Sequence, residues 1–217
     1  VNALSNYFKV QSIREGKSKI AEFEKGNLIA EKDLEVNQPN GTLIEFVADD
    51  TIFKHYRYIN EFIENQLWNY AYLNSGLTVN FNGSKYFSKN GLLDLLRRKT
   101  NEEELNYPII HLKGEDIEIA FSHDNHYGED YHTFVNGQNT TQGGTHLQAF
   151  KEAIVKTIRE FYKKDFDASD IRSALTAALS VRVQEPVFES QTKTKLGSSD
   201  MGPEGPTVKA FIYDFIK

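Results

Sequence analysis

The chain has 217 residues, enough for one large domain or two small ones, and folding at this length buries roughly 70% of the surface that the unfolded chain exposes. Hydrophobic residues at 39%, aromatics at 12% and a mean hydropathy of −0.53 describe a water-soluble chain with a packed core, without an apolar run long enough to span a membrane and without a signal-peptide pattern. With no Cys, disulfides, thiolate metal sites and Cys nucleophiles are excluded and a reducing, cytoplasmic setting is expected; a net charge of −6 argues against polyanion binding by the whole chain but leaves room for a local basic stripe.

Val1-Asn2-Ala3-Leu4-Ser5 reads as the last turn of an apolar helix, and Pro206 to Lys217 carries Val208, Phe211, Ile212 and Phe215 at helical spacing with no C-cap, so both ends are expected to continue into a longer polypeptide. Alternating runs Phe8–Arg14 and Lys19–Phe23 predict a hairpin across Glu15-Gly16-Lys17-Ser18. Leu28–Val36 and Thr42–Val47 predict a second pair, joined through Pro39-Asn40-Gly41. From Tyr58 to Leu73, the residues Ile59, Phe62, Ile63, Leu67, Tyr70 and Leu73 predict the buried stripe of a helix, with Trp68 at its margin. Asn74-Ser75-Gly76 ends that helix, and Leu77–Phe81 is a strand closed by Asn82-Gly83.

A second unit is expected from residue 91. It begins with a helix at Leu92–Arg98 and an acidic loop at Thr100–Asn106, followed by strands at Ile109–Lys113, Ile117–Ser122 and His132–Val135. Gly143-Gly144 leads into the strongest helix, with Leu147, Phe150, Ile154, Ile158 and Phe161 as its stripe; a short helix at Ala168–Ser173 and a strand at Ala178–Val183 follow.

Three constellations invite chemistry. His123, His126 and His132 lie close in sequence, but their spacing fits neither a helical His pair nor a calcium loop, and the Asp, Asn and Gly between them suit a solvated hairpin tip. Thr140 to His146 is a Gly-rich loop before a helix, able to present N–H groups to an anion but lacking the Gly-Lys-Ser/Thr ending of a P-loop. Phe188 to Gly197 is unusually polar for a strand-to-helix connection; a Lys at such a tip can reach a terminal phosphate, with a Gln beside it as a second donor, but the residues by themselves fit a solvated surface loop with two Lys better.

Gln142-Gly143-Gly144-Thr145-His146 before a long helix, followed by Pro186-Val187-Phe188-Glu189-Ser190-Gln191-Thr192-Lys193, resembles the ATPase subunits of bacterial type IIA topoisomerases, that is, the B-type subunits of DNA gyrase and topoisomerase IV. Val1 to Ser5, Arg14-Glu15-Gly16-Lys17, Gly41-Thr42 and Leu73-Asn74-Ser75-Gly76 match the same family in the same order, and the long form Phe188–Gly205 favours topoisomerase IV. The resemblance implies an α+β chain: residues 1–88 as the C-terminal part of a two-layer α/β GHKL ATPase fold, and 91–217 as a transducer domain like domain 2 of ribosomal protein S5. It implies that Lys193 and Gln191 contact the γ-phosphate of ATP, that Thr42 lies near the adenine, and that Arg14 and Gly41 line the rim of that pocket, which also meets coumarin-type inhibitors.

The family's general-base Glu, its Mg²⁺-ligating Asn, its adenine-binding Asp and its glycine lid have no counterpart in these 217 residues, so the chain alone is expected not to hydrolyse ATP. The parent is expected to use ATP and Mg²⁺, to dimerise through its ATPase domain, to close around a DNA duplex and to work with an A-type DNA-cleaving subunit. Lys156, Arg159, Lys163 and Lys164 beside the long helix are candidate DNA contacts, with a solvated helix face as the competing account. Two other functions compete with the whole reading: another GHKL ATPase such as a mismatch-repair homologue, and a non-enzymatic S5-like module that binds nucleic acid or protein.

Overall fold

A computed structural model describes residues 1–217. The chain divides into two compact units, Val1–Asn60 and Glu61–Lys217.

The first unit is a four-stranded antiparallel sheet in the order β3-β2-β1-β4, formed by β1 (Ser5–Arg14), β2 (Lys17–Glu24), β3 (Asn27–Glu35) and β4 (Gly41–Ala48). A 3-10 turn at Asn2–Leu4 leads into it, where a helical turn is expected. Glu15-Gly16 and Lys25-Gly26 both take positive φ at both positions, the backbone that matches the twist of a two-residue hairpin. The second of these turns overrides the pairing expected between Leu28–Val36 and Thr42–Val47. β3 pairs with β2 and β4 with β1, so the two strands occupy opposite edges of the sheet. Proximity across Pro39-Asn40-Gly41 suggests a hairpin, but the tighter Lys25-Gly26 turn places β3 beside β2 first. One face of the sheet aligns Leu28, Phe23, Phe8 and Phe46 across all four strands.

The second unit is built on a mixed five-stranded sheet, β10-β9-β11-β8-β7. Its strands are β7 (Ile110–Lys113), β8 (Ile117–His123), β9 (Asp130–Val135), β10 (Gln138–Asn139) and β11 (Leu175–Val181). β9 and β11 are parallel, a pairing that requires a long crossover, and helices α3 (Thr145–Tyr162) and α4 (Ala168–Arg172) supply it. Alternation along the strands divides the core between two faces. Ile117, Ile119, Leu175, Leu179 and Val181 join Phe150 and Ile154 of α3 and Val208 and Ile212 of α5 (Val208–Ile216). Ala120, Phe134 and Ala178 meet α2 (Leu92–Lys99) through Leu92, Leu95 and Leu96, together with Tyr72 of α1 (Asn60–Leu73).

α1 buries a different face from the one its periodicity suggests: Ala71 and Tyr72 are buried, whereas Phe62 is 68% exposed and Tyr70 is also exposed. Trp68 is the cause. Its ring stacks on Tyr72, meets Tyr86 of the hairpin β5 (Thr78–Phe81) and β6 (Ser84–Phe87) edge-on, and carries the Arg98 guanidinium 4.2 Å above it. These contacts draw α1 and the hairpin into the second unit, so the division of packing falls at residue 60, ahead of the boundary expected near 90. α3 likewise departs from its expected stripe at one end. Phe161 is 77% exposed, and the small side chains Ala149 and Ala153 fill the buried face instead.

The β8–β9 connection is fastened to the helices by one carboxylate. Glu129 accepts from Lys151 Nζ at 2.8 Å, Arg172 Nε at 3.1 Å and the Tyr131 hydroxyl at 2.8 Å. Burial pushes its carboxyl up, but the hydrogen bonds from Lys151, Tyr131 and Arg172 outweigh that and bring it from an ordinary 4.5 down to about 2. A lowered carboxylate pKa stabilises the fold above the unfolded value, and this contribution fades as pH falls through the window from 4.5 to about 2. Glu129→Gln is therefore expected to lower stability at pH 7 by at most roughly 3 kcal/mol and to flatten its acid dependence. Urea unfolding at pH 7 and pH 3 checks this; a deficit of equal size at both pH values would show that the charge plays no part.

Candidate functional site

The two loop motifs, far apart in sequence, form one structure. After β10 the chain reaches Gly143 and Gly144 with φ of 68° and 131°, and α3 starts at Thr145 without a side-chain cap at Gly144. The segment 194–198 supplies an acceptor for the first N–H and a second one for the side chain beside it. Thr145 donates its N–H to the Leu196 carbonyl at 3.1 Å and its hydroxyl to the Ser198 carbonyl at 2.6 Å. In return, the Leu196 N–H donates to the Gly143 carbonyl at 3.0 Å, and Gly144 and Leu196 form a parallel bridge. The backbones approach so closely that a Cβ at residue 144 would lie 2.3 Å from the Leu196 oxygen, so only glycine fits.

The stem is closed at its other end by Glu189, whose N–H donates to the Lys195 carbonyl at 3.0 Å and whose carboxylate pairs with Lys195 Nζ at 3.0 Å. Beyond this stem, Ser190 to Lys193 turns back on itself through the Lys193 N–H and the Ser190 carbonyl at 3.0 Å, with Lys193 in the left-handed region at φ 56°. Gln191, Thr192 and Lys193 are exposed. The side chains of Gln191 and Lys193 make neither hydrogen bond nor ion pair within the protein, so a cation and an amide stand free at the tip of an anchored loop.

Beneath this loop, His146 is fully buried and its Nε2 lies 3.0 Å from Thr140 Oγ1, which in turn lies 2.8 Å from Thr133 Oγ1. Burial lowers the His146 imidazole to about 4, so it is neutral at pH 7 and serves as a core polar group. The other histidines go to separate partners. His123 lies between the Tyr107 hydroxyl and the Ile171 carbonyl, His126 is beside Asp124, and His132 is beside Asp130.

In the first unit, Arg14, Gly41 and Thr42 share one end of the sheet, with Ser12 opposite Thr42 and Ile13 opposite Gly41. Arg14 is 83% exposed in its side chain and its ion pair is with the neighbouring Glu15, at 3.5 Å. The four basic residues of α3 and its end divide in two. Lys156 lies 3.8 Å from Glu160 and over the Tyr213 ring, and Arg159 pairs with Asp165 at 3.1 Å and donates twice to the Phe166 carbonyl. Lys163 and Lys164 form no ion pair. Sequence reading does not single out Gln142, whose partner lies 52 residues away, as a structural support of the loop.

Residues 72–216 match the family model described as DNA gyrase B. The chain is 46% identical over 198 residues to the B-type subunit of DNA topoisomerase 4 from Borreliella burgdorferi, covering 91% of this chain and 33% of that protein. It is 33% identical over 228 residues to the B-type subunit of DNA gyrase from Thermotoga maritima, covering 93% of this chain and 36% of the other. The chain thus spans about a third of the length of these curated relatives. The 43K ATPase domain of Thermus thermophilus gyrase B, solved in complex with an aminocoumarin, superposes with a TM-score of 0.80 at 27% identity, over 99% of this chain and 63% of that one. The α+β architecture and the family model agree, and the chain belongs to the DNA gyrase B family.

Proposed function

We propose that this chain is part of the ATP-dependent gate of a type II DNA topoisomerase and that its Gln191–Lys193 loop reports which nucleotide is bound. The carrying observation is the pair of unengaged side chains, Lys193 and Gln191, on a tip whose stem is hydrogen-bonded to the start of α3. An ammonium and an amide donor suit the terminal phosphate of ATP, which supplies both the charge to be sensed and its loss on hydrolysis. Under this proposal Thr42 serves the adenine end, with Gly41 and Arg14 at its rim. Mg²⁺ and the attacking water would be held by residues other than these, so the chain contributes sensing and transmission, with residues 1–88 as the end of the ATPase domain and 91–217 as the transducer. The 46% identity to a topoisomerase IV protein favours that enzyme over gyrase, and with it an A-type subunit, a DNA duplex and a second copy of the parent as partners. No helix is long and apolar enough to cross a membrane.

In the longest protein that contains this chain, Lys193→Ala is expected to reduce Mg²⁺-dependent ATP turnover at least tenfold, as for removal of a charged group that meets a phosphate. Steady-state ATPase assays check this, and turnover equal to the parent's would remove Lys193 from the site. For DNA, the free cations are Lys163 and Lys164, since Lys156 and Arg159 are engaged within the chain. Lys163→Glu with Lys164→Glu should make the plot of log affinity against log salt shallower by about 0.9 for each phosphate that the variant no longer neutralises. An unchanged slope would leave these lysines as solvated surface.

A further inference from the structure

The tip of the 188–197 loop is fixed from outside by one residue. Between Ser190 and Thr194 the hydrogen bonds run within the segment, with a single exception: Gln142. Its N–H donates to the Thr194 carbonyl at 2.9 Å, and its side-chain Oε1 accepts from the Thr194 hydroxyl at 3.1 Å. Thr194 is the last member of a row of hydroxyls, Ser190 and Thr192 at 2.6 Å and Thr192 and Thr194 at 3.4 Å. Lys193, between the last two, holds a left-handed backbone that a non-glycine residue keeps only where its surroundings enforce it. Part of that enforcement is the Lys193 N–H bond to the Ser190 carbonyl, and the contact from outside the loop is Gln142 on the next residue, Thr194. Without the Gln142 amide oxygen the hydroxyl row loses its outer end, and the direction of Lys193 is left to the Ser190–Lys193 turn and the backbone bonds of the stem.

We propose that Gln142 is a positioning residue for phosphate recognition. It never touches the nucleotide; through Thr194 it aims Lys193 and Gln191, and this rests on the reading of the loop as a phosphate sensor. Gln suits the task better than a carboxylate would, because its oxygen accepts the Thr194 proton without adding a negative charge beside an anion site. Its attachment to Gly143 also makes it continuous with the backbone bridge that caps α3, so the aim of the tip and the start of the helix are set together.

The test uses the longest protein containing this chain and compares binding of a non-hydrolysable ATP analogue with binding of ADP. Gln142→Met removes the acceptor at nearly constant shape, Thr194→Val removes the donor, and Thr194→Ser keeps it. Each removal should cut the preference for the ATP analogue over ADP by roughly fivefold to tenfold, the range of one missing hydrogen bond. The double variant should lose no more than the worse single one, Thr194→Ser should keep the preference, and the thermal midpoint should stay unchanged. Equal loss of affinity for both nucleotides would show a merely structural role and overturn the proposal. So would an unchanged preference in Gln142→Met and Thr194→Val while Lys193→Ala abolishes it. If Lys193→Ala itself keeps the preference, the sensor reading fails, and the proposal falls with it.

Discussion

Much of the second unit depends on the approach of two backbones at Gly144. A helix leaves its first N–H groups without intrahelical partners, and most helices satisfy some of them with a side chain at the N-cap. α3 begins after a glycine at φ 131°; the Leu196 carbonyl accepts the Thr145 N–H instead, and the Ser198 carbonyl accepts the Thr145 hydroxyl beside it. The helix and the loop therefore complete each other. The 194–198 segment is held on one side by the start of α3 and on the other by residues 187–189, whose backbone bonds to Lys195, Gly197 and Ser198 complete the stem. Because Phe150, Ala153 and Ile154 of the same helix pack into the sheet's core, the loop's stem is tied to the most buried part of the molecule within about three turns of helix.

The parts of this architecture that are legible in the sequence are those governed by neighbours along the chain. Glu15-Gly16 and Asn82-Gly83 mark their hairpins because both positions need positive φ. α3 and α5 announce themselves by spacing, and the Gly-rich and Gln-Thr-Lys segments stand out by composition and by resemblance. What is not legible depends on contacts across distance. The Lys25-Gly26 turn carries the same backbone signal as Glu15-Gly16, yet the Pro39-Asn40-Gly41 connection is the more conspicuous turn in composition and points to a β3–β4 pair that does not form. The buried face of α1 is decided by Trp68 meeting Tyr86 and Arg98, residues outside the helix, and no periodicity within 60–73 encodes that. Of the candidate site, Lys193 and Gln191 can be named from sequence but the supporting role of Gln142 cannot, since its partner Thr194 is adjacent only in space.

Net charge is a poor guide to where this chain can meet an anion. At −6 the whole is acidic, and most of the lysines and arginines near α3 are already held: Lys151 and Arg172 by Glu129, Lys209 by Glu152, Lys156 by Glu160, Arg159 by Asp165. Apart from the half-buried Glu129 pairs, these are exposed and add little stability, but every one of them removes a cation from the pool available to a ligand. Lys193 at the loop tip and Lys163 and Lys164 at the far end of α3 remain unengaged. They lie at opposite ends of an 18-residue helix, which spans roughly 27 Å, so one anion cannot occupy both.

A sensor of a terminal phosphate has to meet two opposing demands. Its contact group must be free, or binding would first have to break an internal pair and the net gain would shrink. Its support must be stiff, or the free energy of contact would be spent ordering the loop and nothing would be passed on. Under the proposed function, the 188–197 loop separates the two demands along its length. Backbone hydrogen bonds and the Glu189–Lys195 pair hold the stem, a left-handed turn presents the tip, and Gln142 joins them at the one point where a side chain can still influence direction. Under the sensor reading, a force on Lys193 reaches Thr194 in one residue, the bridge at Leu196 in three, and the start of α3 directly through Thr145. The distance over which coupling must act is then a few hydrogen bonds, each of which breaks or holds as a unit, and that discreteness is what allows loss of one phosphate to shift a population between two states.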